Sequence, residues 1–378
     1  TDDHLALTKE GWKPIGALTP GEKIALSPFV GLAFEAPPES RAVPAPALLR
    51  LLGHVCAGGQ LTRNGQRVSL DTTDPADGEA IAADLRSLGY RGTARLREPA
   101  PGRLAEVQVR CDSAELHRLL ADLGAPVGAK RWPAEALPWL FELPGWARAQ
   151  FLSGLASAGM STPRMEGMRQ PNLQIRLAGA DDDGARLVAR LLGSLGFGAS
   201  VAPTRGRGAR RDRVVQLVGG EREQVRFFAQ VGFCYARRKR EAAARVASVC
   251  WQRWAAIEAR ERAGTEARSL RAAGLDHRAI KAEISTRYGV TTSFVHHAIY
   301  GQRGAPRRPI GRLFAPDAQG EIAWAAVTGL EPLAGPAAVY DVATGDPAES
   351  FLANGVVVHN CGTSVGRDAG AAGWWSGS

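Results

Sequence analysis

Methionine is scarce in this chain of 378 residues, with 3, and the cysteines are few and scattered: Cys56, Cys111, Cys234, Cys250 and Cys361. An odd number of cysteines without any CxxC pair excludes a disulfide framework and a zinc knuckle as organising devices. Long apolar runs are missing, so no segment reads as a membrane span. A charged-then-apolar leader is also missing at the start. A cytoplasmic protein with no membrane partner is therefore the expectation. Acidic residues are outnumbered, 38 Asp and Glu against 47 Lys and Arg, for a net charge of +9. Such a balance favours a polyanionic partner, with nucleic acid foremost. An arginine-rich solvated surface gives the same arithmetic, so charge alone does not identify the partner.

What is present falls into segments. The opening residues read as short strands and turns: Leu5 to Thr8, then Glu10-Gly11-Trp12, then Leu18 to Ala25 around a Pro20-Gly21-Glu22 turn. An Ala/Pro-rich stretch from Glu35 to Pro46 reads as a linker.

Between about Ala47 and Arg245 the chain repeats itself. Each copy begins with a small-residue helix, Leu51-Leu52-Gly53-His54-Val55-Cys56-Ala57-Gly58-Gly59 in the first and Phe151-Leu152-Ser153-Gly154-Leu155-Ala156-Ser157-Ala158-Gly159 in the second. In the first copy a strand at Arg67 to Leu70, a helix over Gly78–Leu88, a strand at Glu106 to Arg110 and a helix ending near Gly124 follow. In the second copy a strand at Leu173 to Leu177, a helix over Asp183–Leu195, a strand at Val214 to Val218 and a helix over Glu221–Val231 follow. The later helices stop at or beside a glycine, as a helix C-cap favours. The matched order predicts a two-fold αββαββα unit.

Residues Trp251 to Arg308 differ. Helices are predicted over Glu266–Tyr288 and Thr292–Tyr300 about a Gly289-Val290-Thr291 turn, with Leu270, Ala273, Ile280, Ile284, Val295 and Ile299 facing inward. This spacing predicts a helix-turn-helix that presents Ser293, His296 and His297 to a DNA major groove, with Arg303, Arg307 and Arg308 meeting phosphates. An ordinary helical hairpin is the plainer alternative. Strands return at Ile322 to Val327, Val339 to Val342 and Phe351 to Val358, the last interrupted by Asn354-Gly355, a strong hairpin signal.

The C-terminal run Val339-Tyr340-Asp341, then Phe351-Leu352-Ala353-Asn354-Gly355-Val356-Val357-Val358-His359-Asn360-Cys361, resembles the two C-terminal splicing blocks of inteins. The head, Thr1-Asp2-Asp3-His4 through Trp12, is similar to the second N-terminal block of that family with its Thr-x-x-His signature. The repeat starts at Leu52 and Leu152 resemble paired LAGLIDADG helices of DOD-type homing endonucleases, and Lys130 and Lys239 stand where that family's basic blocks are expected. The resemblance covers residues 1 to 361. It implies an α+β chain in which an incomplete all-β Hint-type splicing fold is interrupted by a pseudo-two-fold LAGLIDADG domain and a small helix-turn-helix. The corresponding domains are 1–45 (splicing segment and linker), 46–247 (endonuclease-like), 248–309 (helix-turn-helix), 310–360 (C-terminal splicing segment) and 361–378 (start of a C-extein, or a tail).

The resemblance further implies roles. Asn360 would cyclise onto its own carbonyl and break the bond to Cys361. His359 is placed to give a proton to the departing amine, and Cys361 to accept an acyl group. His4 and Thr1 would polarise the upstream scissile peptide, and Asp341 would serve Cys361 as acid or base. No cofactor is expected for splicing. An active family endonuclease uses Mg²⁺ held by a carboxylate at each LAGLIDADG helix end. Gly58 and Gly159 occupy those positions here. The expectation is a DNA-binding but catalytically dead nuclease domain, with double-stranded DNA at an intein-less insertion site as partner. Two further departures appear. The nucleophile block that precedes Thr-x-x-His in inteins is expected as a separate or truncated N-terminal piece, and Glu349 stands at the family's downstream histidine. Host extein segments are the remaining implied partners. The Asn360-Cys361-Gly362 junction, residues Lys281 to Tyr300 and Ser161-Thr162-Pro163 resemble inteins of RtcB-type tRNA-splicing RNA ligases. The competing expectations are a DNA-binding or homing endonuclease protein without splicing, and a fragment of an RNA ligase precursor.

Overall fold

The computed structural model describes residues 2–36, 42–97, 106–128, 134–165, 174–177, 182–203, 213–301, 314–332 and 350–360. The protein is a mixed α and β chain whose contacts divide into two compact units, residues 1–27 with 324–378, and residues 28–323.

The first unit is built on a sheet. β1 (Leu5–Thr8) and β2 (Gly11–Pro14) form a hairpin, and β3 (Lys23–Leu26) follows a 3-10 turn. Late in the chain come β12 (Ile322–Ala326), which enters this unit at Trp324, then β13 (Ser350–Ala353) and β14 (Val356–His359). The strand order is β12-β3-β1-β14-β13, with β2 also on β1. The sheet thus joins the two ends of the chain, with Ala6 opposite Val358 in an antiparallel pair. The hairpin signal at Asn354-Gly355 is realised: both residues have positive φ, +50° and +85°, as a two-residue turn of the mirror-image type requires. Ala6 and Val358 are each 1% exposed and Ala25 is fully buried, so the middle of the sheet is its core.

The second unit carries the repeat. Its first half runs α1 (Pro46–Ala57), β4 (Gln60–Leu61), β5 (Val68–Thr72), α2 (Pro75–Ser87), β6 (Thr93–Arg97), β7 (Glu106–Cys111) and α3 (Ala114–Asp122). Its second half runs α4 (Gly145–Gly159), β8 (Gln174–Leu177), α5 (Asp182–Ser194), β9 (Ala199–Pro203), β10 (Arg213–Leu217) and α6 (Gly220–Gln230). The sheet orders correspond, β4-β5-β7-β6 and β8-β10-β9, and an isolated Met160–Ile175 bridge stands where β4 pairs β5. Sequence periodicity therefore foresaw the repeat, including helix ends at Gly89, Gly124, Gly196 and Gly232, all in the left-handed region. It did not foresee β6 and β9. Every residue of β6 is exposed, so it lacks the buried stripe by which a strand is recognised.

α1 and α4 pack against each other through their small residues. A Cβ on Gly53 would lie 2.0 Å from the Phe151 carbonyl oxygen, and one on Gly154 would lie 2.0 Å from that of Arg50. Only glycine permits backbones so close. A continuous core surrounds the pair, with Leu49, Leu52, Val55, Phe151, Leu152 and Leu155 fully or almost fully buried. Polar groups tie the halves as well: the Arg50 guanidinium donates to Asp84 on α2 at 2.7 and 2.6 Å and to Gln150 on α4 at 2.8 Å.

α7 (Arg237–Ala272) is a single helix of 36 residues. No side chain of its own caps its start. Instead the buried Asp77 carboxylate of α2 accepts the Arg237 N–H at 2.8 Å, placing negative charge at the positive end of the helix dipole. The far end of α7 packs with α8 (His277–Tyr288) and α9 (Thr292–Tyr300) around a small core of Ala263, Ala267, Ile280, Ile284 and Val295, with Leu270 and Ile299 partly buried. Ala273, expected on the inward face, is exposed because the helix ends there. Asp276 and Thr291 cap α8 and α9, and Gly289 closes α8 in the left-handed conformation. α7 also anchors the returning chain: Ser248 exchanges hydrogen bonds with the Asp317 backbone at 2.9 and 3.0 Å, just before β11 (Ala318–Gln319). Among the described residues, no helix is long and apolar enough to cross a membrane.

Candidate functional site

The joined ends of the first unit bring three of the expected splicing residues into one sheet: His4 just before β1, His359 at the end of β14, and Asn360 beyond it. The His359 Nδ1 lies 2.6 Å from the main-chain carbonyl oxygen of Asn360. A carbonyl oxygen only accepts, so Nδ1 carries the proton in this contact. That carbonyl is the one an Asn360 cyclisation would attack. The Asn360 Oδ1 is buried and has no hydrogen-bond partner among the described residues. The His4 ring packs edge-on against Phe351 of β13 at 6.1 Å. The His359 ring stands nearly perpendicular to Trp12, with centres 5.0 Å apart, a contact the sequence reading did not anticipate. Thr1, Asp341 and Cys361, the other residues assigned to this chemistry, lie outside the described residues.

At the ends of α1 and α4 the arrangement is different. Gly58 and Gly159, the positions assigned to degenerate metal sites, offer no side-chain oxygen. A Cβ on Gly58 would meet the Ala158 Cβ at 2.5 Å, so the two helix ends are in close contact. Among the described residues there is no group of three or more His, Cys, Asp or Glu side chains that could hold a metal ion. Lys239, assigned to DNA, turns its ammonium group to the last turn of α4, donating to the Ala156 and Ser157 carbonyls at 3.1 and 2.6 Å. Burial lowers its pKa to about 8, against a weaker opposing pull from Asp77. The thiols of Cys234, beside Ser157, and Cys250, further along α7, are not activated: burial pushes the first up to about 11 and the second up to about 12.

The open face of the first-half sheet carries groups that the sequence reading passed over. Val107, Val109 and Cys111 of β7 turn to the core, so Glu106, Gln108 and Arg110 lie on the opposite face, where Gln108 is itself only 5% exposed. Across the strands Arg95 lies opposite Gln108, and Gln108 opposite Asp71. Arg97 donates to the Gln108 side-chain oxygen at 2.8 Å, as Arg110 does, and the Gln108 amide donates to Asp71 at 2.9 Å. The result is a connected polar face with three guanidinium groups. Alternating Arg95-Leu96-Arg97 was the signal that could have exposed it.

In the three-helix end, Ser293, His296 and His297 of α9 are all exposed, as expected. His296 is not isolated: its Nδ1 is 3.3 Å from the His277 Nε2, and both rings contact Tyr300. Desolvation, then Lys281 and His296, lower the pKa of His277 below the ordinary imidazole value. Lys130, Arg303, Arg307 and Arg308 lie outside the described residues.

No family model matches the chain. It is similar to the tRNA-splicing ligase RtcB of Methanopyrus kandleri, 25% identical over 428 residues that include 97% of this chain and 42% of the relative. The RtcB ligase of Pyrococcus furiosus is 24% identical, with 97% of this chain and 43% of the relative covered. The chain thus spans less than half the length of these curated relatives. Among solved structures, variants of the homing endonuclease I-DmoI cover 50% of this chain and 95% of their own at a TM-score of 0.35 and 13% identity. Full-length DUF199/WhiA from Thermatoga maritima covers 67% of this chain and 88% of its own at a TM-score of 0.36 and 12% identity. At such scores nothing carries over from these structures to this chain.

Proposed function

We propose that this chain is an intein-type protein-splicing element whose C-terminal step is cyclisation of Asn360, with a DNA-binding, LAGLIDADG-like unit inserted between its splicing segments. The observation that carries the reading is the hydrogen bond from His359 to the Asn360 carbonyl, in a sheet that joins β1 to β14. In the reaction the Asn360 Nδ2 attacks the Asn360 carbonyl carbon. The C–N bond to Cys361 breaks, and the proton lost by the amide is balanced by the one gained by the departing Cys361 amine. The products are a C-terminal succinimide and a free Cys361 N-terminus. An amide nitrogen is a weak nucleophile, so carbonyl polarisation by a preplaced donor is the help this step needs. The negative charge develops on the carbonyl oxygen, where His359 already donates. His4, Thr1, Asp341 and Cys361 retain the roles their resemblance implies, and a full splicing cycle engages host segments and an N-terminal nucleophile piece. Matches that span nearly all of this chain but under half of two RtcB ligases fit an element carried within a ligase host.

The inserted unit reads as a DNA binder without nuclease chemistry. Its basic sheet face and the exposed Ser293, His296 and His297 suit a duplex, whereas glycines at 58 and 159 leave Mg²⁺ without carboxylate ligands from the helix ends. Mass spectrometry of the purified chain tests the splicing reading. Time-dependent release of residues 361–378, abolished in Asn360→Ala, supports it. An unchanged mass on prolonged incubation with thiol, across neutral pH, overturns it.

A further inference from the structure

We infer that Trp12 is a positioning residue for His359, holding the imidazole in the rotamer that directs Nδ1 onto the Asn360 carbonyl. The inference rests on the proposed Asn360 chemistry, and its test separates the two.

The contact follows from the register of three strands. Trp12 pairs with Leu7 across β1–β2, and the antiparallel alignment of Ala6 with Val358 sets His359 across from Leu5 on the other side of β1. Side chains of alternate residues share a sheet face, so Leu5, Leu7, Trp12 and His359 stand on one face. Trp12 and His359 stand on the two strands that flank β1, and their side chains meet across it. Their rings meet at 83° and 5.0 Å, the perpendicular arrangement that aromatic quadrupoles favour.

The tryptophan is itself held. Its strand begins at Gly11, whose φ of +117° closes a tight turn that L side chains rarely permit. The Thr8 hydroxyl, buried under the turn, donates to the Gly11 carbonyl at 2.7 Å and accepts the Glu10 N–H at 3.2 Å. One turn thus fixes β2, β2 fixes Trp12, and Trp12 limits rotation of the His359 ring. His359 ends its strand, and among the described residues its ring contacts are the hydrogen bond to Asn360 and the Trp12 ring. At 38% exposed, Trp12 is not a core residue, and replacing it does not open a cavity.

Two readouts on the full chain decide the matter. The first is the rate of release of residues 361–378 from wild type, Trp12→Phe and Trp12→Ala. Loss of the ring contact is expected to slow release about 2- to 12-fold in Trp12→Ala, the equivalent of ~0.5–1.5 kcal/mol. Trp12→Phe, which keeps an aromatic ring, is expected to stay near wild type. Equal rates in wild type and Trp12→Ala overturn the positioning role while leaving Asn360 cyclisation intact. The second readout is the His359 tautomer from imidazole nitrogen chemical shifts, which needs no cleavage and is read in an Asn360→Ala background where the main-chain carbonyl remains. An Nδ1–H tautomer with tryptophan or phenylalanine at position 12, giving way to a mixture in Trp12→Ala, supports the role. A tautomer unchanged by Trp12→Ala overturns it, even if the wild-type chain never cleaves and the splicing reading has failed.

Discussion

The ends of α1 and α4 and the sheet formed by β1, β2, β3, β12, β13 and β14 are opposite cases. The helix pair is packed as tightly as backbones allow, with fully buried neighbours, and the polar groups of its last turns, His54 and Ser157, are buried and hydrogen-bonded within the fold. The sheet is small and half exposed, yet His359 and the Asn360 main-chain carbonyl are hydrogen-bonded on it at 2.6 Å. Packing and chemistry are thus separable demands on a sequence. Glycines at 53 and 154 answer to the closeness of two helices and tolerate nothing larger. Gly58 answers in part to the same closeness, since a Cβ there would meet the Ala158 Cβ at 2.5 Å, and neither Gly58 nor Gly159 offers a side-chain oxygen.

The largest expected effect tests the packing side. Gly154→Ala puts a methyl 2.0 Å from the Arg50 carbonyl, a backbone atom that cannot turn away. Destabilisation of about 3 kcal/mol or more is expected, measured by urea denaturation. Gly193→Ala, in α5 with nothing within 4 Å, serves as the contrast and is expected to stabilise by about 0.5–1 kcal/mol. Equal costs at the two positions would break the claim that helix closeness, not helix propensity, selects glycine here.

On the chemical side, His359→Ala removes the donor from the Asn360 carbonyl. Release of residues 361–378 is expected to slow about 100- to 1000-fold, the range for loss of one oxyanion donor. His359→Gln, which can still donate, is expected to recover part of the rate. If His359→Ala releases the segment as fast as wild type, the donor at 2.6 Å has no kinetic role.

How far each region could be read in advance follows from what its residues answer to. The helix pair announced itself because glycine and alanine at fixed offsets have few other reasons to recur. The 3.6 period foresaw α2, α5 and α6 within a few residues, as buried faces repeat. The exposed strand β6 has no such face and was missed. α7 was missed as one helix because its cap, Asp77, comes from 160 residues away in the chain and leaves no local mark. His359 and Asn360 stood out through their neighbours, but the partner that orients the ring, Trp12, is set by strand register, which a sequence does not print. Lys239 was assigned to an anionic ligand on position alone. The structure places its ammonium on helix carbonyls instead.

Lys239 gives the next test, a pH dependence. Its folded-state value of about 8 lies below the ordinary 10.5 of lysine. Between those values the unfolded chain binds the extra proton, so stability rises with pH through that window. The gain is lost as pH falls from 10.5 to 8, and below 8 the cost of the enclosed charge is fully present. Lys239→Met is expected to flatten this slope, a difference of about 1–3 kcal/mol accumulated between pH 8 and 10.5 in urea denaturation. The slope is the decisive quantity, since Met also leaves the Ala156 and Ser157 carbonyls without their donor at every pH. Parallel curves for the two proteins would mean that the carbonyls at the α4 end hold the ammonium as well as water does, so that this helix end is electrostatically a cation site.

The smallest effect concerns what the helix-pair unit still does without carboxylates. If the sheet face meets the phosphates of a duplex, each guanidinium there contributes one ionic contact and releases about one counterion. Arg97→Ala is the informative change, because Arg97 is bound to Gln108 and its loss leaves Arg110 on the same oxygen. The slope of log affinity against log salt is expected to fall by about 1, with affinity lower on every duplex alike. A drop confined to one sequence would instead make Arg97 a reader of bases. An unchanged slope would move DNA away from this face, toward α9, where Ser293→Ala and His297→Ala then become the changes to measure. In that case the helix pair would be scaffold alone, and the contrast with the sheet of β1 and β14 would be complete.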